Sequence, residues 1–220
     1  MSSLSATPDS PFFSFDGIDG VGKSTQIERF VAWLRASGCD VVPCRDPGST
    51  PLGEAIRDIL LHREEIPLAA RAEMLLYMAA RAQLVEEVVR PALALGKIVV
   101  SDRFLLANVV YQGYAGGLDI QSLWEVGQTA VGGLLPDLTI VLDMPAEAAA
   151  GRLHRPLDRM ERQGAEFHAR VREGFLAEAA RRPERIRVVD AARTVEAVQA
   201  DLRAAVEAFL SKTSTHAASP

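Results

Sequence analysis

Five short apolar runs recur along the chain, and each is bounded by Gly, Asp or Pro. Each run is rich in β-branched or aromatic residues, a composition that predicts a β-strand. Continuous apolar runs of this length are typical of strands that are buried on both faces of a parallel sheet. The predicted strands cover residues 12–15, 40–43, 98–101, 139–142 and 187–189.

Helical patterns fill the stretches between these strands. The first apolar stripe has the spacing i, i+3, i+4 and i+7 and consists of Ile27, Phe30, Val31 and Leu34. Gly38 predicts the end of this helix. Further helices are predicted after the cap Thr50-Pro51, over 68–90 with Pro91 kinking or ending the helix, after Asp119, and over 195–210.

The alternation of strands and helices predicts an α/β fold, in which a doubly wound parallel sheet carries helices on both faces. The chain shows no internal repeat and no linker, so residues 11–210 are predicted to form a single domain. The flanking segments 1–10 and 211–220 are rich in Ser, Thr, Ala and Pro, which is typical of loose tails.

Composition narrows the functional classes. The chain has 220 residues, and its formal net charge of −5 does not favour binding to nucleic acid. No apolar run approaches the roughly 20 residues that span a bilayer, and the N-terminus lacks the pattern of a signal peptide. Cys39 and Cys44 have no metal-binding spacing, so we expect a reducing, cytoplasmic location.

Residues 17–24 have the sequence Gly-Ile-Asp-Gly-Val-Gly-Lys-Ser, which matches the phosphate-binding motif G-x-x-x-x-G-K-[ST]. The motif lies between a predicted strand and an amphipathic helix, so that backbone N–H groups and the helix N-terminus face the phosphates of a nucleoside triphosphate. Lys23 is expected to contact the β- and γ-phosphates, and the Ser24 hydroxyl to bind Mg²⁺. The chain has 21 Arg but only three Lys, which makes a Lys at this position more informative. The predicted ATP-binding residues of this phosphate loop (residues 17–25) are Gly17, Ile18, Asp19, Gly20, Val21, Gly22, Lys23, Ser24 and Thr25.

Two carboxylates are candidates for contacts with a metal or an acceptor. Asp19 lies inside the phosphate loop, where it would repel phosphates unless Mg²⁺ or an acceptor hydroxyl intervenes; a loop-stabilising turn is an equally good explanation. Asp102 follows a predicted strand, and ligands of open parallel sheets bind beyond the carboxyl ends of the strands. At that edge Asp102 would hold Mg²⁺ and Arg103 would clamp a phosphate, the alternative being a local Asp–Arg pair.

Residues 152–187 contain ten of the 21 Arg. A dense Arg cluster outside the phosphate loop can supply positive charge to the transition state of phosphoryl transfer. We predict an Arg-rich lid over residues 146–163, with Arg152 and Arg155 as candidate catalytic groups, because Pro156 interrupts helical spacing there. For residues 170–187 a solvated helical face with Arg–Glu pairs is favoured.

Taken in order, the motifs of this chain resemble those of the thymidylate kinase family over residues 11–210. The segments that carry the resemblance are 12–25, 45–54, Ser101-Asp-Arg-Phe104, Tyr111-Gln-Gly113 and Leu157-Asp-Arg-Met-Glu161. The resemblance implies transfer of the γ-phosphate of ATP to thymidine monophosphate, with ATP and Mg²⁺ as cofactors. It also implies a five-stranded parallel sheet and a homodimer.

The resemblance further implies roles around the acceptor phosphate. Asp19 would contact the acceptor and the metal, while Arg45 and Arg103 would hold the phosphate. By itself, the segment around Arg45 is an ordinary turn followed by a helix cap. Since Gly20 stands in the phosphate loop and the loop contains no Arg, an arginine finger would have to come from the lid.

Other positions are implied to contact the nucleoside. Tyr77 stands where the family has a Phe that stacks on thymine, and Arg81 stands where the family's Arg contacts this base. Without the resemblance, core packing would be the simpler explanation of Tyr77. Asn108 matches a base-contacting position, Tyr111 matches the ring that crowds the 2′ position and favours deoxyribose, and Gln112 accompanies it.

Two rival functions lead to different expectations. A deoxynucleoside kinase would share the fold but would have no acceptor phosphate for Arg45 and Arg103 to hold. A P-loop switch protein would usually carry the guanine-reading motif N-K-x-D, which is absent from the sequence.

Overall fold

The computed structural model describes residues 10–153 and 158–217, with side chains as far as Ser211. Five parallel strands form one sheet in the order β2-β3-β1-β4-β5. They are β1 (Phe12–Asp16), β2 (Val41–Arg45), β3 (Ile98–Asp102), β4 (Leu138–Asp143) and β5 (Ile186–Asp190). Every predicted strand is present within a residue or two of its predicted bounds, and the predicted α/β fold class is confirmed.

The connections between the strands are helical. In the described part of the chain the α-helices are α1 (Lys23–Ala36), α2 (Pro51–Leu61), α3 (Ala70–Leu84), α4 (Arg90–Ala94), α5 (Leu105–Asn108), α6 (Ile120–Ala130), α7 (Ala146–Ala150), α8 (Ala165–Arg181) and α9 (Val195–Ala217). π-Helical segments cover Val85–Val89 and Val109–Ala115, and a 3₁₀ turn covers Glu161–Gln163. Among the described residues, no helix is long and apolar enough to cross a membrane.

Both faces of the sheet are buried. Phe13 and Phe15 of β1 point into a core that includes Phe30 of α1, whereas Phe12 points into a second core that includes Leu84 of α3. This division follows from the strand geometry, because successive side chains point to opposite faces. The carboxyl ends of β1, β2 and β3 lead into loops at one edge of the sheet. In open parallel sheets, ligands bind at this edge.

The helix predicted over 68–90 does not end at Pro91. Its helical path continues through the π-segment Val85–Val89 into α4, and Pro91 lies in the first turn of α4. The Arg90 N–H donates to the Val85 carbonyl, five residues earlier. This wider turn displaces the carbonyl that would otherwise meet the proline ring, so the chain passes the proline without a break.

The C-terminal helix is also longer than predicted. α9 runs to Ala217, whereas the sequence predicted this helix only as far as residue 210. Adding a residue to an existing helix gains a hydrogen bond without a new nucleation step, which offsets the weak propensity of Ser and Thr. The short helices α5 and α7 were not predicted, because each is held by its tertiary surroundings rather than by its own periodicity.

Candidate active site

The phosphate loop connects β1 to α1 at the carboxyl edge of the sheet. Gly20 has φ 86°, and a Cβ built there would lie 2.1 Å from the Ala149 carbonyl oxygen of α7. The backbone of α7 thus packs directly on the loop, and no side chain fits at residue 20. The absence of a basic side chain at residue 20 is therefore built into the packing of the loop.

Lys23 is folded onto the loop that it follows. Its ammonium group donates to the carbonyl oxygens of Gly17 at 3.1 Å and Ile18 at 2.9 Å, and lies 3.6 Å from an Asp19 carboxylate oxygen. Burial lowers the pKa of Lys23 and the Arg103 charge lowers it further, while Asp19 acts in the opposite direction. The group is held by acceptors that phosphate oxygens can replace.

Asp19 connects the phosphate loop to the acceptor side of the site. One of its oxygens accepts from Arg103 Nη2 at 2.6 Å, and the other accepts from the Tyr111 hydroxyl at 3.0 Å. Burial alone would raise the pKa of Asp19, but the charges of Arg103 and Lys23 hold it well below its usual range. Asp19 is therefore an ionised anchor for two predicted substrate-binding side chains.

Arg103 is held in an unusual backbone conformation. Its φ is 64°, in the left-handed region that non-glycine residues rarely adopt, and its N–H donates to the Phe15 carbonyl at 2.9 Å. The side chain donates to the Gly17 carbonyl at 3.0 Å, and the guanidinium lies 5.0 Å from the centroid of the Tyr111 ring. Arg103 is thus fixed between the phosphate loop and the predicted acceptor residues.

Two cavities meet at this point. The larger, of about 590 Å³, extends along the phosphate loop, and the smaller, of about 110 Å³, lies beyond the carboxyl ends of β2 and β3. Four charged residues line both cavities: Asp19, Asp46, Arg57 and Arg103. Positive and negative groups are therefore concentrated at the junction between the two spaces.

The smaller cavity brings together all but one of the residues predicted to bind the acceptor. Its lining includes Asp19, Tyr77, Arg81, Arg103, Asn108, Tyr111 and Gln112. Arg81 is only 1% exposed; it forms an ion pair with the equally buried Asp46 and lies over the Phe104 ring. Arg81 is therefore a buried residue of the cavity wall and not a surface Arg.

Arg45 is the exception, since it lines the larger cavity only. Its guanidinium is exposed and paired with Glu54 at 2.7 Å. Arg57 was missed by the sequence reasoning, although it lines both cavities and donates to the Pro47 carbonyl at 3.0 Å. The available signal was its helical spacing, because Arg57 stands between the buried residues Gly53 and Leu61 on one stripe of α2.

Several predicted residues surround the larger cavity. Its lining includes the predicted residues Lys23, Ser24, Thr25, Asp102 and Arg152, together with Arg193, which was not predicted. Arg152 reaches towards the Ala191 carbonyl, at 3.5 Å. Arg155, the second predicted lid arginine, lies outside the described residues.

Asp16, the last residue of β1, is completely buried beneath this junction. Neither of its carboxylate oxygens has a hydrogen-bond partner among the described residues. Burial raises the pKa of Asp16 to about 7, with Arg103 and Lys23 opposing the rise. A proton on Asp16 is therefore the expected state of the folded protein below neutral pH.

The far end of the predicted lid closes one side of the smaller cavity. Asp158, Met160 and Glu161 contribute to its lining. The Arg159 guanidinium donates to the backbone carbonyls of Arg63 and Ile66 in the loop between α2 and α3. This part of the lid is therefore docked on the loop that follows α2.

A strand–loop–helix phosphate site next to a second, polar cavity, with shared Arg and Asp residues at their junction, defines a P-loop nucleotide kinase. A family model described as thymidylate kinase matches residues 15–202. The chain belongs to the thymidylate kinase family, and it is accordingly a nucleoside monophosphate kinase that uses ATP. The predictions of family and enzyme class are confirmed.

Individual relatives agree with this assignment. The thymidylate kinase of Rhodopirellula baltica is 47% identical over 196 residues, which cover 89% of this chain and 79% of the relative. That of Symbiobacterium thermophilum is 46% identical over 202 residues, covering 91% of this chain and 94% of the relative. The crystal structure of thymidylate kinase from Ehrlichia chaffeensis has a TM-score of 0.75 and 28% identity, covering 91% of this chain and 99% of that chain.

Proposed function

We propose that the protein transfers the γ-phosphate of ATP to thymidine monophosphate, as a single domain over residues 11–210 with a lid over 146–163. The observation that carries the proposal is the junction of the two cavities at Asp19, Arg57 and Arg103. A donor phosphate in the larger cavity and an acceptor phosphate in the smaller one would meet there. Positioning and charge stabilisation at that point are what phosphoryl transfer requires.

On the donor side, the N–H groups of the phosphate loop would bind the ATP phosphates, and Lys23 would exchange its loop carbonyls for phosphate oxygens. Arg152 and Arg193 also line the larger cavity, where their positive charges would face the ATP phosphates. Arg152, together with Arg155, is our candidate for the positive charge that stabilises the transition state.

On the acceptor side, Arg57 and Arg103 would hold the phosphate, and Arg45 would approach it only after leaving Glu54. Tyr77 would stack on the base, which Arg81, Asn108 and Gln112 would contact at its edge. The Tyr111 ring would crowd a 2′-hydroxyl. Asp19 would hold both Arg103 and the Tyr111 hydroxyl in place.

Mg²⁺ fits the oxygen atoms at the junction. Asp102 Oδ1 is buried without a partner among the described residues, and the exposed Ser24, in the first turn of α1, lines the same larger cavity. The described residues contain no group of three His, Cys, Asp or Glu that would hold a metal alone. That suits Mg²⁺, which keeps waters and phosphate oxygens as ligands. We therefore propose Ser24 and Asp102 as its ligands, with Asp19 nearby; bound Mg²⁺ would neutralise charge on the transferred phosphoryl group.

A homodimer and a cytoplasmic location are further parts of the proposal. The homodimer is carried over from the family, and both cysteines are free, which suits a reducing compartment. Sedimentation at several protein concentrations tests the dimer. A species of monomer mass at all concentrations would contradict it.

The test of function is a coupled assay of ADP release with ATP, Mg²⁺ and one acceptor at a time. The acceptors are thymidine, deoxycytidine, deoxyadenosine and deoxyguanosine monophosphates, uridine monophosphate and the nucleoside thymidine. We expect thymidine monophosphate to give the highest kcat/KM and chelation of Mg²⁺ to stop turnover. Preference for the nucleoside would instead indicate a deoxynucleoside kinase, and ADP release independent of any acceptor would indicate a hydrolase.

A further inference from the structure

The base side of the smaller cavity contains a continuous chain of hydrogen bonds between side chains. Gln112 Nε2 donates to Glu73 Oε1 at 2.9 Å. Asn108 Nδ2 donates to Gln112 Oε1 at 2.7 Å, and Arg81 Nη1 donates to Asn108 Oδ1 at 3.1 Å. Arg81 Nε in turn donates to Asp46. From Arg81 to Glu73 the three bonds therefore run in the same direction, and Arg81 is also the donor to Asp46.

The chemistry of its two ends, the Arg81 guanidinium and the Glu73 carboxylate, fixes this direction. An ionised carboxylate only accepts hydrogen bonds and a guanidinium only donates them. Flipping the Asn108 amide would place its N–H₂ group against Arg81, and flipping the Gln112 amide would place its oxygen against Glu73. Both amides are almost completely buried, at 2% and 3% exposure, so such mismatches would not be relieved by water.

One consequence concerns the groups that remain for a ligand. Asn108 Nδ2 and Gln112 Nε2 each keep one hydrogen, and Arg81 Nη2 has no partner among the described side chains. These are donors, and they suit the carbonyl oxygen that thymine presents at C4. Cytosine presents an amino group there, so it would bring donor against donor.

Glu73 does not line the cavity. It is half buried in the first turn of α3, and Gln112 is the only hydrogen-bond partner of its carboxylate among the described residues. We propose that Glu73 is a positioning residue for base selection, which holds Gln112, and through it Asn108, in the amide orientation that presents donors to the acceptor base. The inference rests on the proposed function, because it assigns the smaller cavity to the nucleoside monophosphate.

The test is the ratio of kcat/KM for thymidine monophosphate to that for deoxycytidine monophosphate. In Glu73→Leu the Gln112 amide loses its fixed partner, and we expect the ratio to narrow by roughly 3–10-fold, about the net worth of a typical intramolecular hydrogen bond. Glu73→Gln keeps an acceptor oxygen, so it should retain most of the wild-type ratio. Glu73→Lys places a donor at the end of the chain and should narrow the ratio at least as much as Leu.

A matched control lies in α6, where Gln121 Nε2 donates to Glu125 Oε1, also at 2.9 Å, on the exposed surface. Glu125→Leu removes a bond of the same kind and should leave the ratio unchanged. If Glu73→Leu and Glu73→Lys lower the activity on both substrates equally, Glu73 only supports the fold and the inference is overturned. Wild-type protein that fails to phosphorylate thymidine monophosphate would overturn the proposed function itself, so the two failures are distinguishable.

Discussion

Replacing Asp16 by Asn is expected to make the protein more stable at neutral pH. The Asp16 carboxyl group is fully buried, and neither oxygen has a partner among the described residues. Ionising it in the folded protein therefore places a charge in a poorly solvated site, where Arg103 and Lys23 compensate only in part. Asn has nearly the same shape and carries no charge.

The magnitude follows from the two pKa values of this group. Burial raises the folded-state pKa of Asp16 to about 7, from a value of 3.8 in the absence of the fold. Below the unfolded value both states are protonated, and the full stability is present. As the pH rises towards 7 the unfolded chain releases its proton first, so stability is lost, by up to about 4 kcal/mol for a shift of about three units.

Urea unfolding of wild type and Asp16→Asn between about pH 4 and pH 8 measures this difference. The free energy of unfolding of Asp16→Asn, relative to that of the wild type, should rise steadily up to about pH 7 and then level off. Asp40→Asn, at an exposed carboxylate before β2, serves as the control. A difference between Asp16→Asn and wild type that stays constant over this range would show that Asp16 is already ionised in the folded protein, and the reasoning from its burial would be refuted.

Four further outcomes are expected. Lys23→Ala should reduce kcat by orders of magnitude with little change in acceptor affinity, since its phosphate contacts act in the transition state; near-normal turnover in a folded variant would contradict this. Arg57→Ala should raise KM for thymidine monophosphate by about 10–150-fold, the worth of a hydrogen bond to a charged group, and an unchanged KM would remove Arg57 from the site. Arg152→Ala should lower kcat by up to about 10³–10⁵-fold if it is the arginine finger, whereas a change within threefold would make it a surface residue. Tyr111→Phe should keep the preference for thymidine over uridine monophosphate, and Tyr111→Ala should narrow it. If the ratio of kcat/KM for thymidine monophosphate to that for uridine monophosphate is the same in both variants, Tyr111 is a packing residue.

Features that depend on neighbours in the sequence could be predicted well. Thr50 caps α2 by accepting from the Gly53 N–H at 2.9 Å, and Asp119 caps α6 by accepting from the Ser122 N–H at 2.7 Å. Both bonds join residues three apart, so the sequence alone contains the necessary information. The phosphate loop was predictable for the same reason, because its glycines, Lys23 and the following helix are contiguous.

Features that depend on distant contacts could not be predicted. Glu73 and Gln112 are 39 residues apart and meet only because α3 packs beside the segment that follows α5. Nothing in the local pattern distinguishes Glu73 from a solvated carboxylate at the start of a helix. Likewise, the pairing of Arg45 with Glu54 rather than with the smaller cavity is decided by the turn that brings these two side chains together.

The π-helical segment Val109–Ala115 determines how this chain would respond to changes in its length. Each hydrogen-bonded turn of a π-helix contains one residue more than a turn of α-helix. Deleting Val109 or Val110 would let the segment close as regular α-helix, but it would rotate Tyr111 and Gln112 by about 100° relative to α5. Tyr111 would lose its hydrogen bond to Asp19, and Gln112 would lose its hydrogen bond to Glu73. Substitutions here would be tolerated far better than a single-residue deletion, since the shorter chain would form the more regular helix and lose the acceptor site.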